Sequence, residues 1–406
     1  MQLAIVATLS RPKHAYPGTL LMSLIHHPLW LVGFRPFFLL GCLSGALLPL
    51  AWAMFFSGHG GLPASPVSPL QWHAHEMFFG FGWAILGGFL LTSTKNWVNV
   101  RGHHGAGLIF LVGAWLFERL GMALGAHWPP SLFLLSSNLF LGSIILMLLW
   151  TLIRHRKQDS YADNPVFFIL LPAFLLAKQM MLFGDFKAGS DMALALFRLA
   201  FLVMLERTLT QFMKGVFQVQ ILRQPALDMA IKLLGLLLVG GFLLPPPVSA
   251  LLSLLLAVLL LIRFAFWKPL LAARRIDIGI MYVGYLAIVG QLLLVAAMAF
   301  THLGTVGTVA THLFTFGAMG CIIPAMIVRI ANGHTGRKVV FGPLDKSVLY
   351  LMLAALLIRV LVPQLAPEKY LATVHAAATC WLLAFVLLGW RYTPYLLRPR
   401  IDGREH

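Results

Sequence analysis

Acidic residues are scarce: 13 Asp and Glu stand against 30 Lys and Arg in 406 residues, and charged residues of either sign make up only 11%. A soluble globule of this length carries about a quarter of its residues charged, so that class is excluded. Cysteine is rarer still. Cys42, Cys321 and Cys380 all fall inside apolar runs, with no CxxC, no zinc-finger spacing and no disulfide framework. No polar stretch is long enough for a separate soluble domain, and no internal repeat is obvious. No standard signal peptide opens the chain, because Arg11, Pro12 and Lys13 interrupt the first apolar run. Met22 offers an alternative start that would leave residues 1–21 untranslated.

What is abundant is apolar length. The chain is 60% hydrophobic with a mean hydropathy of +0.86, which indicates an all-α integral membrane protein. Twelve apolar stretches approach the ~20 residues needed to cross a bilayer: 34–56, 69–94, 105–124, 131–153, 165–185, 191–212, 226–244, 247–267, 278–300, 306–329, 346–363 and 369–390. The formal charge of +17 suggests nucleic acid, but the basic residues lie in short loops between the apolar runs. With both termini cytoplasmic, Lys187 and Lys369 are the only cations in outer loops, and nearly all the others fall on the inner side. That asymmetry is the positive-inside pattern. The expected organisation is a cytoplasmic segment at 1–28, one twelve-helix domain at 29–395 and a cytoplasmic tail at 396–406, in the inner membrane of a bacterium. The bilayer is the expected surrounding and no nucleic-acid partner is expected.

One stretch concentrates unusual chemistry: SPLQWHAHEMFFGFGWAILGGFLLTSTKNW, Ser68 to Trp97. Ser68 and Gln71 have capping-box spacing, and Pro69 falls at the first helical position. His73, His75, Glu76 and Met77 come next. Imidazole is the commonest ligand of haem iron and copper. On a helix His73 and His75 lie roughly 200° apart, so one metal does not take both. His73, Glu76 and Met77 share a face, with Glu76 and Met77 as supporting groups. Two metal centres on opposite faces, or one ligand and one supporting histidine, both satisfy this spacing. So does the plainer reading of interfacial histidines bonded to neighbouring helices.

Once the spans alternate, His73, His75, His302, His312 and His375 converge on the outer leaflet from four helices, a layer suited to haem or copper. Five cations, Arg119, Lys178, Arg198, Arg207 and Arg359, lie inside spans together with Glu118 and Glu206. Such charges face the bundle interior and find partners. They serve either propionates, protons or a polar path, or they pair as ties between helices. At the inner end of the tenth span, Gly333-His334-Thr335-Gly336-Arg337-Lys338 is either an anion cradle with Arg337 beside it or a glycine cap with lipid-facing cations beyond it. Met319 and Cys321 in that span carry soft sulfur atoms but are expected to be packing.

Taken in order, GFRPFF (Gly33–Phe38), WHAHEMFFGF (Trp72–Phe81), GGFLLTSTKNW (Gly87–Trp97), ERTLTQFM (Glu206–Met213), THLFTFGAMG (Thr311–Gly320), GHTGR (Gly333–Arg337) and RYTPYLLRPRIDG (Arg391–Gly403) resemble the NnrS family, multi-spanning bacterial membrane proteins of the nitric oxide response. The resemblance runs from Leu29 to Arg404. Lys95-Asn96 departs from the pattern, where a small residue or proline is expected, and touches only a turn. The resemblance implies haem, of b type, and copper, nitric oxide as the small-molecule ligand, and protection against nitrosative stress; it assigns no reaction. Cofactor contacts are expected at His73, His75, His302, His312, His375 and Arg337. A secondary transporter is the competing class, though no two-fold repeat supports it. A quinol-linked nitric-oxide-reducing oxidoreductase is the other, but no His-Pro-Glu-Val-Tyr and no His-His pair lies within a span.

Overall fold

A computed structural model describes residues 25–61, 64–161, 163–301 and 303–404. Most of the expected N-terminal segment, residues 1–24, and His302 lie outside the described residues. Among those described there are twelve helices long and apolar enough to cross a membrane, and no strands. They are α1 (Phe34–Phe56), α2 (Pro69–Val98), α3 (Ala106–His127), α4 (Pro130–Arg154), α5 (Val166–Phe183), α6 (Phe186–Phe217), α7 (Pro225–Leu243), α8 (Pro246–Phe266), α9 (Ile276–Thr301), α10 (Val309–Gly333), α11 (Pro343–Leu365) and α12 (Pro367–Leu397).

The boundaries come from local chemistry. Ser68 and Gln71 form the expected capping box, with Gln71 N donating to Ser68 Oγ (3.3 Å) and Ser68 N donating to Gln71 Oε1 (3.0 Å). The helix α6 begins five residues before the apolar stretch at 191, because Asp185 caps it by accepting from Ala188 N at 3.0 Å.

Three helices form the inside of the bundle. The apolar windows of α2 and α6 are 83% buried and that of α10 is 72%, against 33–56% for the other nine. Around them α1 packs on α12 and α2, α11 on α12, α5 on α6, α8 on α9, and α9 on the first half of α10. Both α2 and α10 contain a π-helical turn, Glu76–Gly82 and Leu313–Met319. Each begins directly after a histidine, His75 or His312. The longer i→i+5 bonding of such a turn shifts the register of the helix beyond it and is frequent at functional sites. Two glycines accept close neighbours in these turns. A Cβ at Gly80 would sit 2.2 Å from Arg119 Nη1, and one at Gly317 would sit 2.3 Å from Ala287 Cβ on α9. Trp115 Nε1 donates to the Gly80 carbonyl at 3.1 Å.

The buried charges have polar partners, some charged and some neutral. Glu118 on α3 is bonded by Lys178 of α5 and lies 3.2 Å from Arg119 Nη2. Glu206 on α6 meets Arg223, Lys232 (3.0 Å) and Arg263 (3.8 Å), while Arg207 bonds Asp163 (2.6 Å) and Asn164 (2.9 Å). Arg198 donates to Gln291 Oε1 at 3.0 Å and Arg359 to the Tyr370 hydroxyl at 3.1 Å. Of the two readings of these charges, ties between helices describes Glu118 and Glu206.

Candidate cofactor cavity

The start of α2 is fixed by its cap and by Gln71, whose Nε2 donates to the Met181 carbonyl at the end of α5 (3.1 Å). That anchoring sets the faces of the next turn. His73 turns toward a cavity of about 350 Å³, within the range of small-molecule sites, lined by α1, α2, α6, α10, α11 and α12. Its ring stacks on Trp52 of α1 with centroids 4.3 Å apart and planes at 14°. Its Nδ1 is buried without a hydrogen-bond partner, an arrangement that costs free energy unless something else engages it.

His312 lines the same cavity from α10. Its Nδ1 lies 2.9 Å from the Thr308 carbonyl. The Thr308 hydroxyl lies at the same distance from Nδ1; with Nδ1 donating to the carbonyl, the Nε2 lone pair is left as the donor atom. This is how a ligating imidazole is commonly oriented. Met77 and Arg359 also line the cavity, with Trp381 and Phe316 among its apolar walls. Arg359 is 7% exposed and stacks over the Tyr370 ring at 5.1 Å.

His75 points the other way and is fully buried. Its Nδ1 lies 3.2 Å from Glu76 Oε1 and its Nε2 3.3 Å from Glu118 Oε1. Both ring nitrogens therefore face carboxylates, in a cluster completed by Arg119 and Lys178. Glu76, expected on the face of His73, turns with His75 and lies 3.3 Å from Arg119 Nη1; it sits where the wider π-helical turn begins. Met77 stays with His73.

The remaining expected positions are spread out. His375 on α12 is half-buried, one residue from Val374 in the cavity wall, but is not among the described lining residues. Arg337 lies past the far end of α10, with its guanidinium 3.9 Å over the Tyr395 ring. Met319 and Cys321 are buried in the packing. Trp52 carries no signal in the sequence beyond being aromatic. Arg359 is visible there as a charge within a span, but its meeting with His73 and His312 is not.

The donor set fits one haem better than it fits copper. Two imidazoles from different helices would supply nitrogen ligands to the iron, the aromatic walls would pack on the macrocycle, and the buried Arg359 guanidinium would pair with a propionate. For copper, no group of three or more His, Cys, Asp or Glu among the described residues is placed to hold a metal ion.

A family model described as NnrS protein matches residues 28–400. No curated protein matches the chain.

Proposed function

The chain belongs to the NnrS family, and from that premise we propose that it is a haem-binding membrane protein of the nitric oxide response, with the haem held between His73 and His312. The observation that carries this reading is that two imidazoles from α2 and α10 line one cavity, one with an unpartnered nitrogen and the other held at Nδ1 by Thr308. Haem supplies an iron that binds nitric oxide. The chain's own residues do the rest: Thr308 orients His312, Trp52 fixes the plane of His73, and Arg359 offers charge to a propionate while Tyr370 holds it.

Nitric oxide is small, neutral and lipid-soluble, so it reaches such a cavity without a dedicated channel. Capture leads to protection against nitrosative stress; no reaction is part of the proposal. Copper remains the second cofactor that the family resemblance implies, and no residue is assigned to it.

We also propose that both termini face the cytoplasm of a bacterial inner membrane, that residues 29–395 form one domain, and that the histidine cavity opens toward the periplasmic side. The charge asymmetry of the loops supports this orientation. A periplasmic reporter fused at Gly403 should be silent; an active one reverses the topology.

The test of function is the absorption spectrum of protein purified from haem-sufficient cells, with iron and copper measured on the same sample. The expected result is a Soret band that shifts on addition of nitric oxide. Folded, full-length protein without iron and without a Soret band overturns the haem reading.

A further inference from the structure

On the end of the bundle that carries His73 and His312, a second cavity of about 680 Å³ lies between α6, α7, α8, α9 and the start of α10. It adjoins the histidine cavity across α6, since Lys187, Asp191, Leu194 and Thr311 line both. Its rim is charged and exposed: Asp185 caps α6, and Asp191 is held by Lys187 at 2.7 Å. Arg198 and Gln291 line the cavity from deeper in. Arg198 lies more than three turns beyond Phe186, the first residue of α6, and Gln291 nearly three turns before Thr301, the last of α9.

Arg198 is 6% exposed and Gln291 4%. The guanidinium donates to Gln291 Oε1 at 3.0 Å, and its Nε is buried without a hydrogen-bond partner. Among the described residues no carboxylate is within ion-pairing distance of Arg198. Asp191, about two turns earlier on α6, acts on it only at a distance. Other buried cations show the contrast: Lys178 has Glu118, Arg207 has Asp163 and Arg329 has Asp277. A tie between α6 and α9 needs only two neutral partners. A cation placed there instead is costly until a counter-charge arrives. The amide is oriented to help meet one. Arginine only donates, so the Gln291 oxygen is the atom against it, which leaves Nε2 without a hydrogen-bond partner among the described residues.

We propose that this cavity binds a monovalent carboxylate, carried on a soluble organic acid or on an acyl chain from the bilayer, with its oxygens held by Arg198 and Gln291 Nε2. A guanidinium fork matches a carboxylate in geometry as well as in charge, and their attraction is stronger in a buried site than in water. One cation without a counter-charge fits one negative charge; Lys187, the other cation of the lining, is at the rim and already paired. The volume exceeds a bare carboxylate, and Phe242, Val295 and Met298 in the wall suit an organic body attached to one. The site stands apart from the haem reading, because neither Arg198 nor Gln291 is among the described residues lining the histidine cavity.

The experiment uses the full-length protein in an uncharged detergent, titrated with benzoate by calorimetry at fixed ionic strength. Benzyl alcohol, a similar body without the charge, is the control. Wild type should bind benzoate saturably and benzyl alcohol at least about 10-fold more weakly. Arg198→Met should weaken benzoate about 100-fold. Gln291→Glu serves should that variant not fold. It gives the guanidinium a carboxylate of its own, so the protein should melt above wild type while benzoate binding falls about 100-fold. Lys346→Gln, exposed at the start of α11, should leave binding unchanged. Repeating the titration in nanodiscs of phosphatidylcholine, with and without oleate, separates the two sources. Competition by oleate identifies an acyl carboxylate, and unchanged binding identifies a soluble acid. No saturable binding of benzoate by wild type, equal binding of benzyl alcohol, equal weakening in Lys346→Gln, or full binding by Gln291→Glu overturns the proposal. Loss in Arg359→Gln with retention in Gln291→Glu places the carboxylate in the histidine cavity and overturns it as well.

Discussion

Two imidazoles two positions apart on α2 have opposite surroundings. Each keeps one buried nitrogen without a hydrogen bond, Nδ1 of His73 and Nε2 of His75, but His73 stacks on Trp52 beside a cavity, whereas His75 is fully buried with a carboxylate oxygen 3.2–3.3 Å from each nitrogen. The residue type and the helix are the same. What differs is what the ring faces: a cavity for His73, carboxylates for His75. A ligand to iron must offer one nitrogen and have the other held, and His312 across the cavity meets that condition through Thr308. His75 instead has the environment of a structural tie, its carboxylate partners drawn from α2 and α3. Spacing alone makes the two histidines equivalent; the distribution of carboxylates separates them.

The sharpest way to break this comparison is to remove each imidazole in turn. His73→Ala and His312→Ala should each abolish nearly all Soret absorbance while the protein remains in the membrane, because one side chain at a helix end is not a folding nucleus. His75→Ala should keep the band. The measurement is the haem-to-protein ratio of the purified variants. Loss of haem from the His75 variant, with retention in the other two, would exchange the roles of the two faces.

The next effect is on stability and belongs to the other face. Lys178→Met leaves Glu118 buried with one counter-charge fewer, and Glu118→Ala leaves Lys178 without its carboxylate. Breaking a buried pair by removing one partner costs about 3–5 kcal/mol. The expected readout is a clear drop in the thermal aggregation midpoint and in yield, with the Soret position of the surviving protein unchanged. A stable Glu118→Ala variant with a shifted or missing Soret band would mean that the cluster serves the cofactor.

Much of this architecture can be read from the sequence because it is local. The twelve spans come from apolar length, and the cap at Ser68 and Gln71 from spacing over four residues. The opposed faces of His73 and His75 come from helical period. The features that cannot be read depend on contacts between distant helices. Nothing near position 75 announces Glu118 or Lys178, which reach it from other helices. The π-helical turns at Glu76–Gly82 and Leu313–Met319 leave no period in an apolar segment, so regular helical spacing puts Glu76 on the wrong side of its helix relative to His73. The start of α6 escapes for a smaller reason: Asp185 lies before a polar first turn, where hydropathy gives no signal.

Glu76→Gln offers a finer division of the two faces. The carboxylate touches His75 and Arg119, at 3.2 and 3.3 Å, and not the cavity. The amide keeps the shape and loses the charge, so the expected cost is about 1–3 kcal/mol of stability, smaller than that of Lys178→Met. The haem content and the Soret maximum should stay at wild-type values. A shift in reduction potential comparable to that of a direct ligand variant would show that Glu76 acts on the iron through the helix, and would weaken the separation drawn between the faces.

The smallest expected effect tests the whole assignment of ends. His103 lies at the opposite end of the bundle, where its Nε2 is 3.2 Å from the Met147 carbonyl of α4. Since the carbonyl can only accept, Nε2 donates, and that bond, with Thr151 Oγ1 at 3.1 Å, gives His103 a sufficient structural role. His103→Ala removes one partly buried hydrogen bond, worth about 1 kcal/mol, and should leave every spectroscopic property untouched. The comparison with His312 is close: both imidazoles donate to a backbone carbonyl, and only His312 then presents its other nitrogen to a cavity that also holds a second histidine. If His103→Ala lowers the haem-to-protein ratio, the cofactor is at the basic end and the paired imidazoles of α2 and α10 are not its ligands. If the ratio holds, the difference between the two ends rests on the cavity and not on histidine as such.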